Sequence, residues 1–501
     1  MYEMKGKYLR YFPFISYISC TTELIKNPGW QQVKCRVMAS PLYYDVVVER
    51  EDELVGIVRP TPMPPGPKYL PVLGNMFEYL HDQPSFLTHL QRRYGDVACF
   101  HLLHYPITNL SHPRHVRYIL IENPRNFTVH ETTPELQEFV GNGLLTIDGE
   151  EHRRQRRQVQ PAFHKKQITT HADVMLQYTQ EMLASWQPGQ RIDMARAMQK
   201  LTMRIIMKCL FDIDLAYQLT ELGPLFADVL KRPPRFYEQQ ALHLRLNLPF
   251  TRYGKQQSNK AHIKRMIHDL ITERRAEGDN KRDVLSMLLF AGDPDNELDD
   301  DRICDHIMTF FGAGHETITN ALCWTFYLLA RHPTVLEKLQ AELRTVLGGH
   351  VATLEDCAHL RYTEWVLNES MRLYPPVWTF GRHAAAAFEL DGYHFPAGSF
   401  FMLSPWVIHR RPDLWEKAEQ FRPERWHPER AHQIVPWSYI PFGAGPRICI
   451  GMPFAQLEGK LILATILQHY IPHLLPGYRA ALQPWITLRP KHGMPMILEK
   501  V

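Results

Sequence analysis

The sequence has little net charge, no closely spaced cysteines and no compositional repeat. Its 57 lysines and arginines stand against 53 aspartates and glutamates, and the net charge of +4 is too small to indicate a nucleic-acid-binding surface. The eight cysteines are far apart and include no Cys-x-x-Cys pair, so neither a disulfide framework nor a zinc ribbon is indicated. The 27 glycines and 38 prolines follow no period, which excludes collagen-like and low-complexity chains.

The N-terminal 58 residues lack a segment that could cross a membrane. Their most apolar stretch, Tyr11 to Ser19, is short and is interrupted by Pro13 and Ser16, whereas a membrane-spanning helix needs about 20 apolar residues. No small-residue cleavage pattern of a signal peptide follows it. We therefore interpret residues 1–58 as an N-terminal extension and expect a soluble, cytoplasmic protein, with contact to a membrane surface as the alternative.

A proline-rich segment marks the start of the main domain. Prolines recur from Pro60 to Pro71 and favour extended backbone. The rest of the chain has mostly helical periodicity, with short strand-like pieces near 97–102, 392–404 and the C-terminus. This pattern predicts one domain over residues 59–501 that is mainly α with small β-sheets. The candidate helices cover 84–94, 112–122, 149–160, 168–187, 194–210 and 258–277.

One long helix is predicted from Glu297 to Arg331. Apolar residues lie on both sides of Ala313-Gly314, and the polar pair His315-Glu316 lies near the centre of the segment. A polar pair within such an apolar helix favours a helix that crosses the core beside a polar site.

Cys449 lies in a segment, Phe442 to Gly451, that also contains three glycines and one proline. An amphipathic run from Pro453 to Tyr470 follows it. Glycines permit tight turns, and the start of the following helix favours a thiolate. One thiolate cannot complete a tetrahedral zinc site, whereas a porphyrin supplies four nitrogens and needs one axial ligand. We interpret Cys449 as a haem ligand, with a buried, inert cysteine as the alternative.

These residues resemble the cytochrome P450 family, the haem-thiolate monooxygenases, whose signature is Phe-x-x-Gly-x-Arg-x-Cys-x-Gly. Phe442, Gly445, Arg447, Cys449 and Gly451 match its fixed positions. The resemblance implies a triangular, helix-rich fold with haem b, iron protoporphyrin IX, between the long central helix and the helix on the cysteine side. Cys449 would be the metal ligand, and Phe442 and Arg447 would contact the cofactor.

A second motif supports the resemblance. Glu369 and Arg372 are three positions apart and can pair on one face of a helix, although a lone surface pair of this kind contributes little to stability. In the family this motif joins an arginine from a Pro-Glu-Arg segment, which matches Arg425 here, and the three residues hold the cysteine loop. We therefore expect Glu369, Arg372 and Arg425 to have a structural role.

The resemblance assigns the two propionate groups of haem to basic residues. His152 and Arg156 share a helix face at i, i+4 and match propionate-binding positions, although many family members carry tryptophan in place of His152. Arg382 and Arg447 match two further positions, and the planar guanidinium group suits a carboxylate. The remaining arginines between 153 and 157 are expected to be solvated or to dock an acidic redox protein.

Residues 313–317 resemble the oxygen-activation motif of the family. The resemblance implies that Ala313 and Gly314 lie against the haem and that the glycine lets the helix distort. It further implies that Thr317 hydrogen-bonds to dioxygen and that Glu316 relays protons from solvent. His315-Glu316 also begins the zinc-protease pattern His-Glu-x-x-His, but residue 319 is a threonine, which excludes a metalloprotease.

The activity implied by the resemblance is the insertion of one atom of dioxygen into an apolar substrate, by hydroxylation or epoxidation, with two electrons. A haem enzyme that rearranges a peroxide without a reductase and a non-enzymatic haem sensor are the alternatives, and the Glu316-Thr317 pair argues against both. Residues 450–501 are too few for a flavin domain, and no Gly-x-Gly-x-x-Gly or P-loop occurs. Electrons must therefore come from a separate ferredoxin or flavoprotein reductase. We expect a monomer.

Fatty acids, terpenes and steroids all fit the apolar pocket that such a site normally has. Tyr237 to Tyr253 is predicted to form a mobile lid or a membrane contact, with an ordinary surface loop as the alternative. By resemblance, the pocket is lined by Phe139, Val140, Leu144, Leu145, Phe310, Ala313, Val377 to Phe380, and Trp485-Ile486.

Overall fold

The computed structural model describes residues 17–19, 33–39, 42–48, 60–130, 134–214, 250–278, 283–290 and 298–501. Residues 237–249 of the predicted lid, the side chain of Phe139 and most of the predicted N-terminal extension lie outside the described residues. Phe250, at the end of the predicted lid, is 77% exposed.

Helices dominate the described chain, and the helices predicted from periodicity are present with small shifts at their ends. The α-helices run over Met76–His81, Gln83–Tyr94, Pro113–Arg117, Pro134–Val140, Gly149–Val159, Lys165–Thr169, Ala172–Ala184, Met194–Phe211, Arg252–Glu277, Val284–Phe290, Asp300–Arg331, Pro333–Leu347, Arg361–Leu373, Pro405–Ile408, Pro428–Ala431 and Met452–His469. Tyr118–Glu122 continues the third of them as a π-helical turn.

The central helix, Asp300–Arg331, organises the core. It begins where the Asp299 side chain accepts a hydrogen bond from the backbone N–H of Arg302 at 2.7 Å, a helix N-cap, and it ends before Pro333, which cannot continue it. Its 32 residues span about 48 Å at 1.5 Å per residue. The helix packs against Met194–Phe211, Arg361–Leu373 and Met452–His469, so the predicted helix through the core is confirmed.

Two sheets carry residues of the predicted site. The five-stranded sheet has the order Val97–Leu102, Tyr105–Leu110, Phe400–Leu403, Phe380–Ala384 and Phe127–Thr128, with one parallel pair between the second and third strands. Arg382 lies on its fourth strand, opposite Phe401. Near the C-terminus of the chain, Leu482–Pro484 and Leu488–Pro490 form a two-stranded hairpin, which packs against the central helix.

The remaining sheets are small and antiparallel. Phe388–Leu390 pairs with Tyr393–Phe395. The sheet at the C-terminus has the order Tyr470–Leu474, Pro495–Lys500 and Arg191–Asp193. Near the N-terminus, Tyr17–Ser19, Val33–Ala39, Leu42–Val48 and Pro60–Pro62 form one sheet, which joins the predicted extension to the first residues of the predicted domain. Among the described helices, none is both long and apolar enough to cross a bilayer.

Candidate functional site

The loop around Cys449 is shaped by glycine, as the sequence predicts. Gly443 and Gly445 have φ angles of 71° and 70°, in the left-handed region that side chains other than glycine rarely adopt. A Cβ on Gly445 would lie 1.9 Å from the carbonyl oxygen of Leu120 in the π-helical turn, so only glycine fits there. The backbone N–H of Cys449 donates to the carbonyl of Phe442 at 2.9 Å and closes the loop.

Cys449 differs from the other described cysteines because it is exposed, whereas Cys99, Cys209, Cys304 and Cys323 are buried. The residue is therefore open to a ligand. Protein nonetheless surrounds the sulfur beyond that opening, and this burial raises the pKa of the thiol, against the backbone N–H groups of Gly451 and Met452 and the charge of Arg156, which lower it. The expected help from the helix start is present but is outweighed. A bound metal ion would supply the missing stabilisation of the thiolate.

Two of the predicted basic residues join the helix Gly149–Val159 to the cysteine loop. Arg156 donates to the carbonyl of Ile448 at 2.8 Å. Arg447 donates to the carbonyl of Ile147 and forms an ion pair with Asp148 at 2.5 Å. Asp148 also accepts the backbone N–H groups of Val129 and His130 at 2.9 and 2.8 Å, so the carboxylate is fixed in place.

The basic cluster has more positive charge than the described chain neutralises. Burial, followed by the charge of Arg447, lowers the pKa of Arg382 to about 10. Burial also lowers the pKa of Arg447, against the opposing effect of Asp148. Among the described residues, Asp148 is the one carboxylate that raises both of these pKa values. Two further carboxylates, such as the propionates of haem, would neutralise the excess.

His152 is neutral in this cluster. Only 5% of it is exposed, and burial, followed by Arg447 and Arg156, lowers its pKa to about 4. At neutral pH the imidazole can therefore donate one hydrogen bond without adding charge. The exposed thiol of Cys449, three arginines with surplus charge and a neutral histidine together fit a haem with two propionates.

Away from its two ends, the central helix is accessible only at and next to the predicted oxygen-activation motif. Between Ile303 and Leu329 every residue is buried except Gly312, Ala313, Gly314 and Thr317. Thr317 is four residues after Ala313 and therefore shares its face of the helix. Its hydroxyl donates to the carbonyl of Ala313 at 2.7 Å, so it occupies a helical acceptor until another acceptor is available.

Gly314 has a role in helix packing that the sequence does not indicate. A Cβ at this position would lie 2.7 Å from the side chain of Ile206, on the neighbouring helix Met194–Phe211. The missing side chain thus allows two helices to pack closely, and the predicted approach to the haem stays a prediction. The central helix continues through Gly314 without a break, so the predicted distortion of the helix is not seen there. The side chains of His315 and Thr317 hydrogen-bond to backbone carbonyls of the same helix.

Glu316 makes contacts that the sequence does not indicate. Its Oε1 atom accepts hydrogen bonds from the hydroxyl of Thr487 and from Nε of Arg489, the latter at 2.6 Å. The terminal nitrogen of Arg489 also lies 2.5 Å from the same oxygen. The predicted proton relay residue is therefore held by the C-terminal hairpin. The sequence motifs do not include Arg489. Its one signal in the sequence is its position, as a positively charged residue shortly after the predicted pocket residues Trp485-Ile486.

The three residues of the predicted structural motif meet in the core. Arg372 forms a two-point contact with Glu369, with nitrogen–oxygen distances of 2.9 and 2.9 Å. Nε of Arg425 donates to the same carboxylate at 3.0 Å. Arg372 also donates to the carbonyls of His409 and Ala418 at 2.7 Å each. Glu369 and Arg372 are fully buried, so these contacts fix the segment that leads to the cysteine loop.

Other metal chemistry finds no support in the described residues, which contain no group of three or more His, Cys, Asp or Glu side chains suited to a metal ion. Thr319, at the position where a zinc protease would need histidine, hydrogen-bonds to the hydroxyl of Thr202 at 2.8 Å.

Residues predicted to line a substrate pocket divide into two groups. Leu145 and Ile486 are 43% and 42% exposed, as pocket residues can be. Trp378 is 2% exposed, and its indole N–H donates to the carbonyl of Trp485 at 2.8 Å. Trp378 thus also anchors the hairpin from the core. Val140, Leu144 and Phe310 are also buried.

Comparisons with known proteins agree with these motifs. A family model described as "Cytochrome P450" matches residues 64–490. "Cyclooctatin synthase" from Streptomyces melanosporofaciens is 34% identical over 433 residues, which cover 84% of this chain and 92% of that protein. "Cyclooctat-9-en-7-ol 5-monooxygenase" from the same organism is 33% identical over 421 residues, with coverages of 84% and 91%.

A third curated relative and a solved structure extend the comparison. "Pentalenene oxygenase" from Streptomyces avermitilis is 30% identical over 428 residues, which cover 85% of this chain and 92% of that protein. The structure of cyanobacterial CYP120A1 with bound retinoic acid superposes with a TM-score of 0.78 at 28% identity, covering 88% of this chain and all of the other.

Proposed function

The chain belongs to the cytochrome P450 family and is a haem monooxygenase with the helix-rich fold of that family, and we propose that it inserts one oxygen atom into a terpene hydrocarbon or terpene alcohol. Two observations carry the chemistry. Between Ile303 and Leu329 the central helix is accessible only at residues 312–314 and at Thr317. Cys449 is exposed, whereas four other cysteines are buried and Cys357 is half-buried. The substrate class is supported by the relatives, whose names refer to cyclooctatin, cyclooctat-9-en-7-ol and pentalenene.

The residues divide into those that hold the cofactor and those that handle protons. We propose that Cys449 ligates the iron of haem b and that His152, Arg156, Arg382 and Arg447 bind its propionates, in the basic cluster described above. When bound, the haem supplies the redox chemistry that activates dioxygen. Phe442 and Ala313 would flank it on opposite sides.

Proton handling is assigned to Thr317 and Glu316. The Thr317 hydroxyl, which donates to the Ala313 carbonyl at 2.7 Å, can donate instead to dioxygen when the site is loaded. Glu316 can pass protons toward it because its side chain, which precedes the accessible Thr317, is still 11% exposed. Oxygen insertion converts substrate, dioxygen, two electrons and two protons into product and water, so both protons must reach this site.

Electron supply is assigned to a second protein. We propose a separate ferredoxin or flavoprotein reductase, and the exposed Arg157 on the helix Gly149–Val159 could contribute to the docking of an acidic partner. The chain is proposed to act as a monomer, with residues 59–501 as one haem-binding domain.

A panel of ligands tests the substrate class. We expect cyclic terpene hydrocarbons and alcohols to shift the haem from low to high spin at micromolar concentration, because an apolar ligand that fills the site displaces water from the iron. Fatty acids and steroids of similar size serve as comparison ligands. Product analysis with a surrogate ferredoxin and reductase should then show a gain of one oxygen atom. Binding of fatty acids or steroids in preference to terpenes would contradict the proposed substrate class.

Replacement of Thr317 tests the assignment of proton handling. In Thr317→Ala, product per pair of electrons is expected to fall about 10²-fold, the lower end of general acid–base contributions, while consumption of reduced nicotinamide continues and hydrogen peroxide accumulates. Thr317→Ser is the matched control, because it keeps the hydroxyl and should retain most of the product. Unchanged product yield in Thr317→Ala would show that another group delivers the proton.

A further inference from the structure

We infer that Arg489 is a positioning residue for oxygen insertion: it clamps one oxygen of Glu316 and links proton delivery to the tip of the C-terminal hairpin. This inference rests on the proposed function and deepens it. It concerns a residue outside the motifs that identify the family, on a hairpin that reaches the central helix from the end of the chain.

The first step of the argument is the asymmetry of the Glu316 carboxylate. Both nitrogens of Arg489 and the hydroxyl of Thr487 contact Oε1. No residue in the described part of the chain hydrogen-bonds to Oε2. The side chain of Glu316 retains 11% of its exposure, so the second oxygen is not sealed in the core. One oxygen is therefore anchored, and the other is left to exchange protons with water.

The second step is the rigid attachment of the hairpin to the central helix. Glu316, Asn320 and Trp324 are spaced at i, i+4 and i+8 and thus lie on one face of the helix. Asn320 donates to the hydroxyl of Thr487 at 3.1 Å, and the indole of Trp324 donates to the carbonyl of Leu488 at 2.8 Å. Three residues of the central helix, each about one turn after the previous one, therefore hold residues 487 to 489 of the hairpin.

The third step connects these contacts to the substrate side. The guanidinium of Arg489 lies 5.1 Å from the ring centre of Trp485, a cation–π contact. Ile486, the next residue, is 42% exposed at the hairpin tip. A substrate that moves the tip would thus act on the same cation that holds Glu316. Arg489 couples the position of the tip to the position of the carboxylate.

Three variants test this role. Arg489→Gln removes the cation and its two-point contact, whereas Arg489→Lys keeps the charge but loses the planar fork. Arg479→Gln is the matched control, because Arg479 is an exposed arginine in the same C-terminal segment and is not part of the network around Glu316. Each haem-loaded protein is examined with the best substrate of the ligand panel.

Two routes of turnover separate proton delivery from substrate positioning. With reductase and dioxygen, two protons must pass through the site. With added hydrogen peroxide, the peroxide supplies the oxygen atom together with both electrons and both protons, so that substrate and peroxide become product and water. In Arg489→Gln, reductase-driven product per electron pair is expected to fall about tenfold or more, as expected for a displaced catalytic group, and peroxide-driven turnover is expected to change by less than about twofold.

A solvent isotope effect gives an independent readout. The ratio of oxygen consumption rates in H₂O and D₂O should rise in Arg489→Gln and return toward the wild-type value in Arg489→Lys, because proton transfer becomes more rate-limiting when Glu316 is misplaced. The affinity for substrate, measured from the spin shift, should weaken less than the coupling of electrons to product. Arg479→Gln should match the wild type in every measurement.

The inference is overturned if Arg489→Gln and Arg479→Gln behave alike, or if both routes of turnover in Arg489→Gln fall by the same factor. Equal loss by both routes would mean that Arg489 only supports the hairpin. The proposed function is judged separately, on product formation by the wild type. The isotope effect on oxygen consumption requires no product, so failure of the substrate assignment and failure of the Arg489 inference are distinguishable.

Discussion

Cys449→Ala is expected to abolish the red-shifted Soret band that the reduced protein gives under carbon monoxide. That band reports a thiolate bound to the iron, and Cys449 is the exposed cysteine among those described. Loss of the proposed iron ligand should also reduce haem retention and eliminate product formation. The measurement is the carbon monoxide difference spectrum of protein purified with added haem, combined with the haem content per chain.

Cys357→Ala is the matched control for this experiment. Cys357 is half-buried, and its sulfur lies 3.6 Å from the carbonyl of Thr353, away from the loop Phe442 to Gly451. Its replacement should leave the thiolate spectrum intact. A normal thiolate spectrum in Cys449→Ala, or its loss in Cys357→Ala, would contradict the assignment of Cys449 as the iron ligand.

Glu369→Ala is expected to destabilise the folded protein by about 3–5 kcal/mol, the cost of removing one partner of a buried ion pair. Arg372 would keep its positive charge in a fully buried site and lose both contacts to the carboxylate. Arg425, the backbone N–H of Arg422 and the indole of Trp426 would lose an acceptor as well. Since whole domains are stable by only about 5–15 kcal/mol, little haem-loaded protein should be recovered.

Glu364→Ala provides a control on the same helix. The side chain of Glu364 is 46% exposed and pairs with Lys460 at the surface, where ion pairs contribute about 0–1 kcal/mol. Denaturant unfolding of the two variants should therefore differ clearly. If Glu369→Ala unfolds at the same denaturant concentration as Glu364→Ala and binds haem normally, the buried triad does not hold the cysteine loop.

Several features followed from the sequence because they depend on neighbours along the chain. The glycines at 443 and 445 fix a loop whose backbone other residues rarely adopt, and this local requirement is visible in the sequence. The pairing of Glu369 with Arg372 follows from the period of the α-helix. The central helix was predicted for the same reason, since apolar periodicity and terminal residues act within a turn or two.

Other features were decided by packing between distant segments. Arg489 and Glu316 are 173 residues apart, and Arg447 and Asp148 are 299 apart, so no local pattern pairs them. The sequence predicts a haem contact for Gly314, and only the structure shows that this glycine also accommodates Ile206 of another helix. Trp378 holds the hairpin through the carbonyl of Trp485, which is 107 residues away in the chain.

Cys449 depends both on its local sequence and on the packing of distant segments. By itself the sequence determined that Cys449 stands in a glycine-shaped loop before a helix, because backbone conformation and helix ends are set locally. The electrostatic outcome belongs to the tertiary structure, because burial depends on every segment that folds around the sulfur. That burial raises the pKa of the thiol, although the nearby backbone N–H groups lower it. The same packing places Arg382 and Arg447 near a single carboxylate, that of Asp148. The local motif thus places the ligand, and the packing of distant segments makes the site suited to a bound, negatively charged cofactor.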